Sequence, residues 1–196
     1  MQGGSDGVNL ATIKNIGSDI TAANVFGFDL SNSSTVGATA YNKAIAILSN
    51  KDEYDFNIIT IPGILQTLHS AVTSNAINMV EDRADAFYIM DLNDVNATVN
   101  STANATVGLS SNYSGVYYPW VKILDASLNR PIFVPPSVVI PGIFAKNDSL
   151  GGPWFGPAGL NRGGLSQVIE TKNKLSQNER DILYDNRVNP IAQFPG

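Results

Sequence analysis

A chain of 196 residues with a hydrophobic fraction of 43% is long enough for one domain that buries about two thirds of the surface its unfolded form exposes, without a disulfide or a metal to hold it. Charged residues make up only 15% and the net charge is −5, so Asn, Ser, Thr and Gly must cover the surface, and no basic stripe is present to displace counterions from a phosphate backbone, which argues against nucleic acid as a partner. With no cysteine, disulfides, thiolate catalysis and Cys-type zinc sites are excluded.

The amino terminus, MQGGSDGVNL, has neither the basic nor the apolar region of a signal peptide, and nowhere does an apolar run reach about 18 residues. Direct membrane binding is therefore not expected. Residues 1–35 are rich in Gly, Ser, Asn and Asp, with short apolar pieces at Val8 to Ile13 and Val25 to Leu30 that suit brief strands. From Thr39 to Leu48 the spacing of Ala40, Ala44, Ile45 and Leu48 predicts a helix. The β-branched run 56-FNIITI-61, stopped by Pro62-Gly63, reads as a central strand buried on both faces. Leu65, Leu68, Val72, Ala76 and Met79 recur at steps of three and four, which predicts an amphipathic helix to about Arg83, and 86-AFYIMDL-92 follows as a second strand. Strand, helix and strand in so short a span imply a right-handed parallel βαβ unit.

Residues 93–112 are low in complexity and poor in large apolar groups, so a mobile surface loop is expected there. The segment 116-VYYPWVKIL-124 reads as one strand, with Pro119 at a strand start or an edge, and 132-IFV-134 completes a hairpin with it. Ser137 is placed to cap a helix reaching about Lys146, with Pro141 tolerable only in or beside the first turn. The loop 151-GGPWFGPAG-159 is expected to be pinned on the core by Trp154 and Phe155. Ser176 and Glu179 form a capping box that opens a helix through about Arg187. The fold class is thus α/β: a mixed sheet containing a parallel βαβ unit, flanked by helices, with a hairpin and long surface loops, in a single domain over 1–196.

These pieces, taken in order, resemble the tail sheath proteins of contractile-tailed, myovirus-type bacteriophages and related injection machines. The resemblance rests on the Gly-Gly-x-Asp-Gly turn at Gly3 to Gly7, on 54-YDFNIITIPG-63, and above all on 111-SNYSGVYYPWVKILD-125. It continues through 133-FVPPS-137, 154-WFGPAG-159, 162-RGG-164 and 189-NPIAQFPG-196, so it spans most of the chain. Each piece alone is common; their collinear order is what is specific. Two departures stand out: Pro141 interrupts a helix that usually runs unbroken in such proteins, and the Asn/Thr-rich stretch at 93–112 replaces what is often a helical approach to the Tyr-Tyr-Pro-Trp motif. Sheath proteins usually carry arms at both ends, so this sequence looks like a central fragment that lacks them.

The resemblance implies a structural subunit, not an enzyme, with no cofactor. Such a subunit polymerises helically around an inner tail tube and rearranges on contraction to drive the tube through the host envelope. Its implied partners are other copies of itself, the inner tube protein, and baseplate and tail terminator proteins; its implied place is the virion tail, after synthesis and assembly in the host cytoplasm.

Sharper alternatives find weaker support. Asn-x-Ser/Thr sequons at Asn32, Asn96, Asn100, Asn104, Asn112 and Asn147 point toward a glycoprotein, but a chain so rich in these residues supplies them by chance. Asp91 lies at the carboxyl end of a parallel strand, where open α/β sheets place ligands, with Asp94 nearby; a strand-end or turn role is the simpler reading, as a structural role is for the lone His69. No Gly-x-Ser-x-Gly elbow and no phosphate-binding glycine loop opens a helix, and Gly3, Gly4 and Gly7 suit a tight turn. Tyr117, Tyr118 and Trp120 offer a glycan or peptide platform, which keeps a surface-exposed adhesin or carbohydrate-binding module as the alternative function. In strand alternation Tyr118 and Trp120 share a face that suits core, and Tyr117 takes the other. The last helix buries only a narrow stripe around Ile182 and Leu183, so Glu179, Arg180, Asp181, Asp185 and Arg187 face water or a neighbouring subunit, and these are the candidate interface residues.

Overall fold

The computed structural model describes residues 30, 32–127 and 129–194; the Gly-Gly-x-Asp-Gly turn and the apolar pieces before Leu30 lie outside them. In chain order the elements are α1 (Val36–Leu48), β1 (Ile58–Leu65), α2 (Ser70–Arg83), β2 (Phe87–Asp91), α3 (Val99–Ala105), β3 (Ser114–Tyr118), β4 (Val121–Asp125) and β5 (Arg130–Val134). A 3-10 turn at Pro136–Val138 leads to α4 (Ile140–Gly151), the single turn α5 (Gly159–Arg162), β6 (Val168–Thr171), α6 (Gln177–Asp185) and β7 (Asn189–Pro190).

The strands form two sheets. The first is parallel, in the order β1-β2-β3-β7, and the second antiparallel, in the order β5-β4-β6. The β1-α2-β2 crossover is the expected parallel unit, with Ile58 opposite Phe87 and Thr60 opposite Ile89. Alternation along β2 divides the interior in two: Tyr88 and Met90 join α1 and α2 in one cluster, while Ile89 faces the second sheet and α4 in another. The first sheet is therefore covered by helices on one side and by the second sheet and α4 on the other, as a largely parallel sheet requires.

Several expectations are corrected. Residues 56–61 do not make a central strand: among the described residues β1 pairs with β2 alone and is half-buried over most of its length. It also continues through Pro62-Gly63, where the register slips between Thr60 and Leu65 and Gly63 takes φ 87°. An edge strand tolerates the proline's missing donor, and the glycine supplies the positive φ of the irregularity. The helix that follows starts at Ser70, not Leu65, because Leu65 still belongs to β1 and hands its N–H to His69 Nδ1 at 3.0 Å.

Residues 116–124 are two strands rather than one. The chain breaks at the cis Tyr118–Pro119 peptide and passes from the first sheet into the second. The hairpin itself is as expected, with Val121 opposite Val134 and Ile123 opposite Ile132. Within 93–112 lies α3, so the stretch is not an irregular loop and the helical approach to Tyr-Tyr-Pro-Trp is present. Thr98 accepts from the Ser101 N–H and Ser101 Oγ accepts from the Thr98 N–H, a reciprocal box that starts the helix; Thr102 and Ala103 are buried. Short side chains here bury surface by close approach, which a count of large apolar groups overlooks.

Ser137 caps no helix; it sits in the 3-10 turn, and α4 runs from Ile140 to Gly151 with Pro141 in its first turn, where no intrahelical donor is lost. Trp154 is not pinned to the core but 78% exposed, and Phe155 is partly exposed under the Arg162 guanidinium, 4.1 Å from its ring centroid.

Candidate interaction surfaces

The carboxyl-terminal helix α6 is built as its sequence indicates. Ser176 Oγ accepts from the Glu179 N–H, and the Glu179 carboxylate accepts from the Ser176 N–H at 2.8 Å. That backbone bond, then the Ser176 hydroxyl, hold the Glu179 carboxyl below the usual carboxylate range. Leu183 alone of the helix is fully buried. The candidate interface residues divide. Asp181 and Asp185 are exposed, Asp181 accepting from Gln177 Nε2 at 2.7 Å. Glu179 is committed to the cap, and Arg180 is half-buried, donating to Leu175 O and lying 5.3 Å from the Phe194 ring centroid. Arg187 is exposed, at φ 62° just past the helix, and its N–H closes the last turn on Tyr184 O. Of the five, Asp185 and Arg187 make no side-chain hydrogen bond among the described residues, and Asp181 bonds only within its own helix.

Asp91, at the carboxyl end of β2, is 2% exposed. Its carboxylate accepts from Ser137 Oγ at 2.5 Å and from the Ser137 N–H at 3.2 Å, a contact 46 residues away in sequence. Burial pushes its pKa up to about 6, against the lowering effect of the Ser137 hydroxyl and of the Ser137 and Gly63 N–H groups. Burial, and secondarily the Asp91 charge, also raises Tyr88. Asp94 is exposed and accepts from the Asn96 N–H, so it makes no carboxylate pair with Asp91. Asp91 is a bolt between the first sheet and the turn ahead of α4.

Tyr118 belongs to the first core cluster, and Tyr117 packs on the second. Trp120 is buried as expected: it borders a crevice with Leu92, Thr102 and Pro136, its Nε1 donating to Asn93 O at 2.9 Å. None of these rings forms an open platform. The sequon residue Asn147 is buried and spends its amide on Phe155 O.

Two features had no clear reading in the sequence. Arg83 continues the buried face of α2 and is 2% exposed; it holds Asp85 bidentately and donates to Leu48 O and Tyr54 O, with Phe56 4.2 Å below it. Its place in register with Val72, Ala76 and Met79 was the available signal. An apolar groove of about 810 Å³ opens among α4, α5, β6 and the segment after β7, lined by Ile140, Ile143, Phe144, Leu165, Val168 and Ile191. Its walls offer packing surface and no cluster of groups for proton or metal chemistry; among the described residues no set of His, Asp and Glu is gathered to hold a metal. No helix among them is long and apolar enough to cross a membrane.

The described residues form a mixed α/β body of two sheets. The chain belongs to the phage tail sheath protein central domain family, whose model matches residues 34–196. It is 34% identical over 92 residues to the tail sheath protein of Enterobacteria phage T4 and 31% identical over 90 residues to that of Vibrio phage KVP40. These alignments take in 45% and 46% of this chain and 13% of each relative. The fold is similar to that of a chain in the anti-feeding prophage baseplate, with a TM-score of 0.57 and 22% identity over 85% of this chain and 41% of the other.

Proposed function

We propose that the chain is the body of a contractile tail sheath subunit, polymerising helically around an inner tail tube and rearranging on contraction to drive that tube through a host envelope. The observation that carries this reading is the match of the sheath central domain across 34–196, over nearly all of the α/β body. Contacts between unlike surfaces of successive copies generate such helices, whereas a two-fold contact closes on itself. Contraction is then a rigid-body rearrangement in which the whole of 1–196 moves as one domain and intersubunit contacts change around it.

On this reading the protein turns over no substrate and needs no cofactor. Its partners are other copies of itself, the tube protein, the baseplate and the tail terminator, and it resides in the virion tail after synthesis and assembly in the host cytoplasm. A baseplate chain of similar fold is in keeping with the third of these contacts. Asp181, Asp185 and Arg187, with Glu179 and Arg180 behind them, are the α6 groups offered to a neighbour. The test is to produce the full-length protein and image it by negative stain: hollow striated tubes are expected, and a soluble monomer at every concentration and salt would refute the reading.

A further inference from the structure

The outer face of the β5-β4-β6 sheet carries positive charge in a chain that is negative overall. Lys122 and Lys172 place their Nζ atoms 4.8 and 5.0 Å from the centroid of one ring, Phe133. Glu170, paired with Lys122, is the carboxylate among them, and its pKa is lowered by Lys122 first and Lys174 less. Lys172 and Lys174 are exposed, and among the described residues no carboxylate is in salt-bridge distance of either; Arg130, opposite Asp125 in the hairpin and three residues from Phe133, belongs to the other face. Leu124, two residues from Lys122 and so on the same face, is 55% exposed. Among the described residues no element covers this face.

The opposite charge collects elsewhere. Arg83 ties the α1–β1 connection to the end of α2, which brings Asp52, Glu53 and Asp55 to the same end of the body as Glu81, Asp82 and Asp85. All of these acids are exposed. Glu81 and Asp82 sit in the last turn of a helix, where the backbone dipole already favours cations. Arg83 is buried and saturated, so Lys51 is the exposed cation within this connection. Ile47, exposed in the last turn of α1, stands directly before it.

Topology sets the two regions apart. The end of α2 leads into the start of β2, at the amino edge of the first sheet and on its helix-covered side. The second sheet departs from the carboxyl end of β3 and packs on the other side. A negative end and a positive face on opposite sides of one body cannot satisfy each other within a copy, but they can between successive copies.

We propose that the acidic end of one copy docks on the outer face of the second sheet of the next, with Asp52, Glu53 and Asp82 toward Lys172 and Lys174 and Ile47 toward Leu124. The occupant of the sheet face is thus a second copy of this chain, and the contact is head-to-tail and open-ended. This rests on the sheath reading and names the surfaces it uses. Complementary charges of this kind fix register and partner choice as much as affinity.

Two variants of the full-length protein test it: Asp52→Lys with Asp82→Lys at the acidic end, and Lys172→Glu with Lys174→Glu on the sheet face. None of these side chains takes part in a hydrogen bond or ion pair of the described residues, and circular dichroism checks that each variant folds. Each variant alone is expected to need at least about tenfold more protein to form tubes than the wild type, while an equal mixture assembles near the wild-type concentration, because each reversed surface then meets its complement. Variants that assemble alone as the wild type does would overturn the proposal, and so would folded variants that fail alone and fail mixed. If the wild type forms no tubes, the sheath reading falls first, and the docking with it.

Discussion

Asp91 shows what a single buried carboxylate costs and what it secures. Its folded pKa is about 6 against an ordinary 3.8, so between these values the folded chain holds a proton that the unfolded chain has released. Stability therefore falls as pH rises through that window and stays at its lower level above it, by an amount on the order of 2–3 kcal/mol. Glu170 and Glu179, whose pKa values are lowered, act in the opposite sense and lose their contribution as pH falls. Comparing wild type with Asp91→Asn by urea denaturation isolates the term: the stability difference between them should change across the window, and parallel curves would contradict it. Trp120 belongs to the same region, with its ring buried and its Nε1 on Asn93 O. Trp120→Ala is expected to cost about 3–5 kcal/mol in thermal or chemical unfolding; an unchanged melting temperature would move Trp120 to a subunit contact.

At the scale of elements, legibility followed the range of the interaction. Ser176 and Glu179 announce α6 because a capping box is complete within four residues, and the β1-α2-β2 unit is announced by its periodicity. The strand break at Pro119 and the Asp91–Ser137 bolt depend on residues far apart in the chain, and no local pattern marks them. The helix α3 was hidden for another reason: its box uses Ser101 where Glu or Gln is usual, and it buries Thr102 and Ala103 rather than large side chains. Thr98→Ala should cost about 0.5–2 kcal/mol, and limited proteolysis should spare residues 98–106 while cutting in their exposed flanks. Early cleavage inside α3 would restore the loop. Of the interface residues in α6, reversing Asp181 and Asp185 should leave the unfolding midpoint within the roughly 0–1 kcal/mol expected of exposed charges. Reversing Glu179 removes half of the capping box and should lower the midpoint measurably, a contrast that a purely intersubunit role for Glu179 would not produce.

For the whole molecule, the layered arrangement explains why so few groups are left for chemistry and so many for packing. Helices cover one side of the first sheet, the second sheet covers the other, and the buried polar groups Arg83 and Asp91 are spent on joining the layers. Collinear motifs made this body legible as a sheath core, while the charge separation between its acidic end and its second sheet emerged only when strands far apart in sequence were brought side by side. A body of this kind transmits force when its interior is stiffer than its contacts. Cryo-electron microscopy of the assembled tail before and after contraction tests that claim most directly. Residues 36–190 are expected to superpose within experimental error in the two states while the lattice around them changes; a tail whose sheath lacks this chain, or whose two sheets separate on contraction, would rule that out.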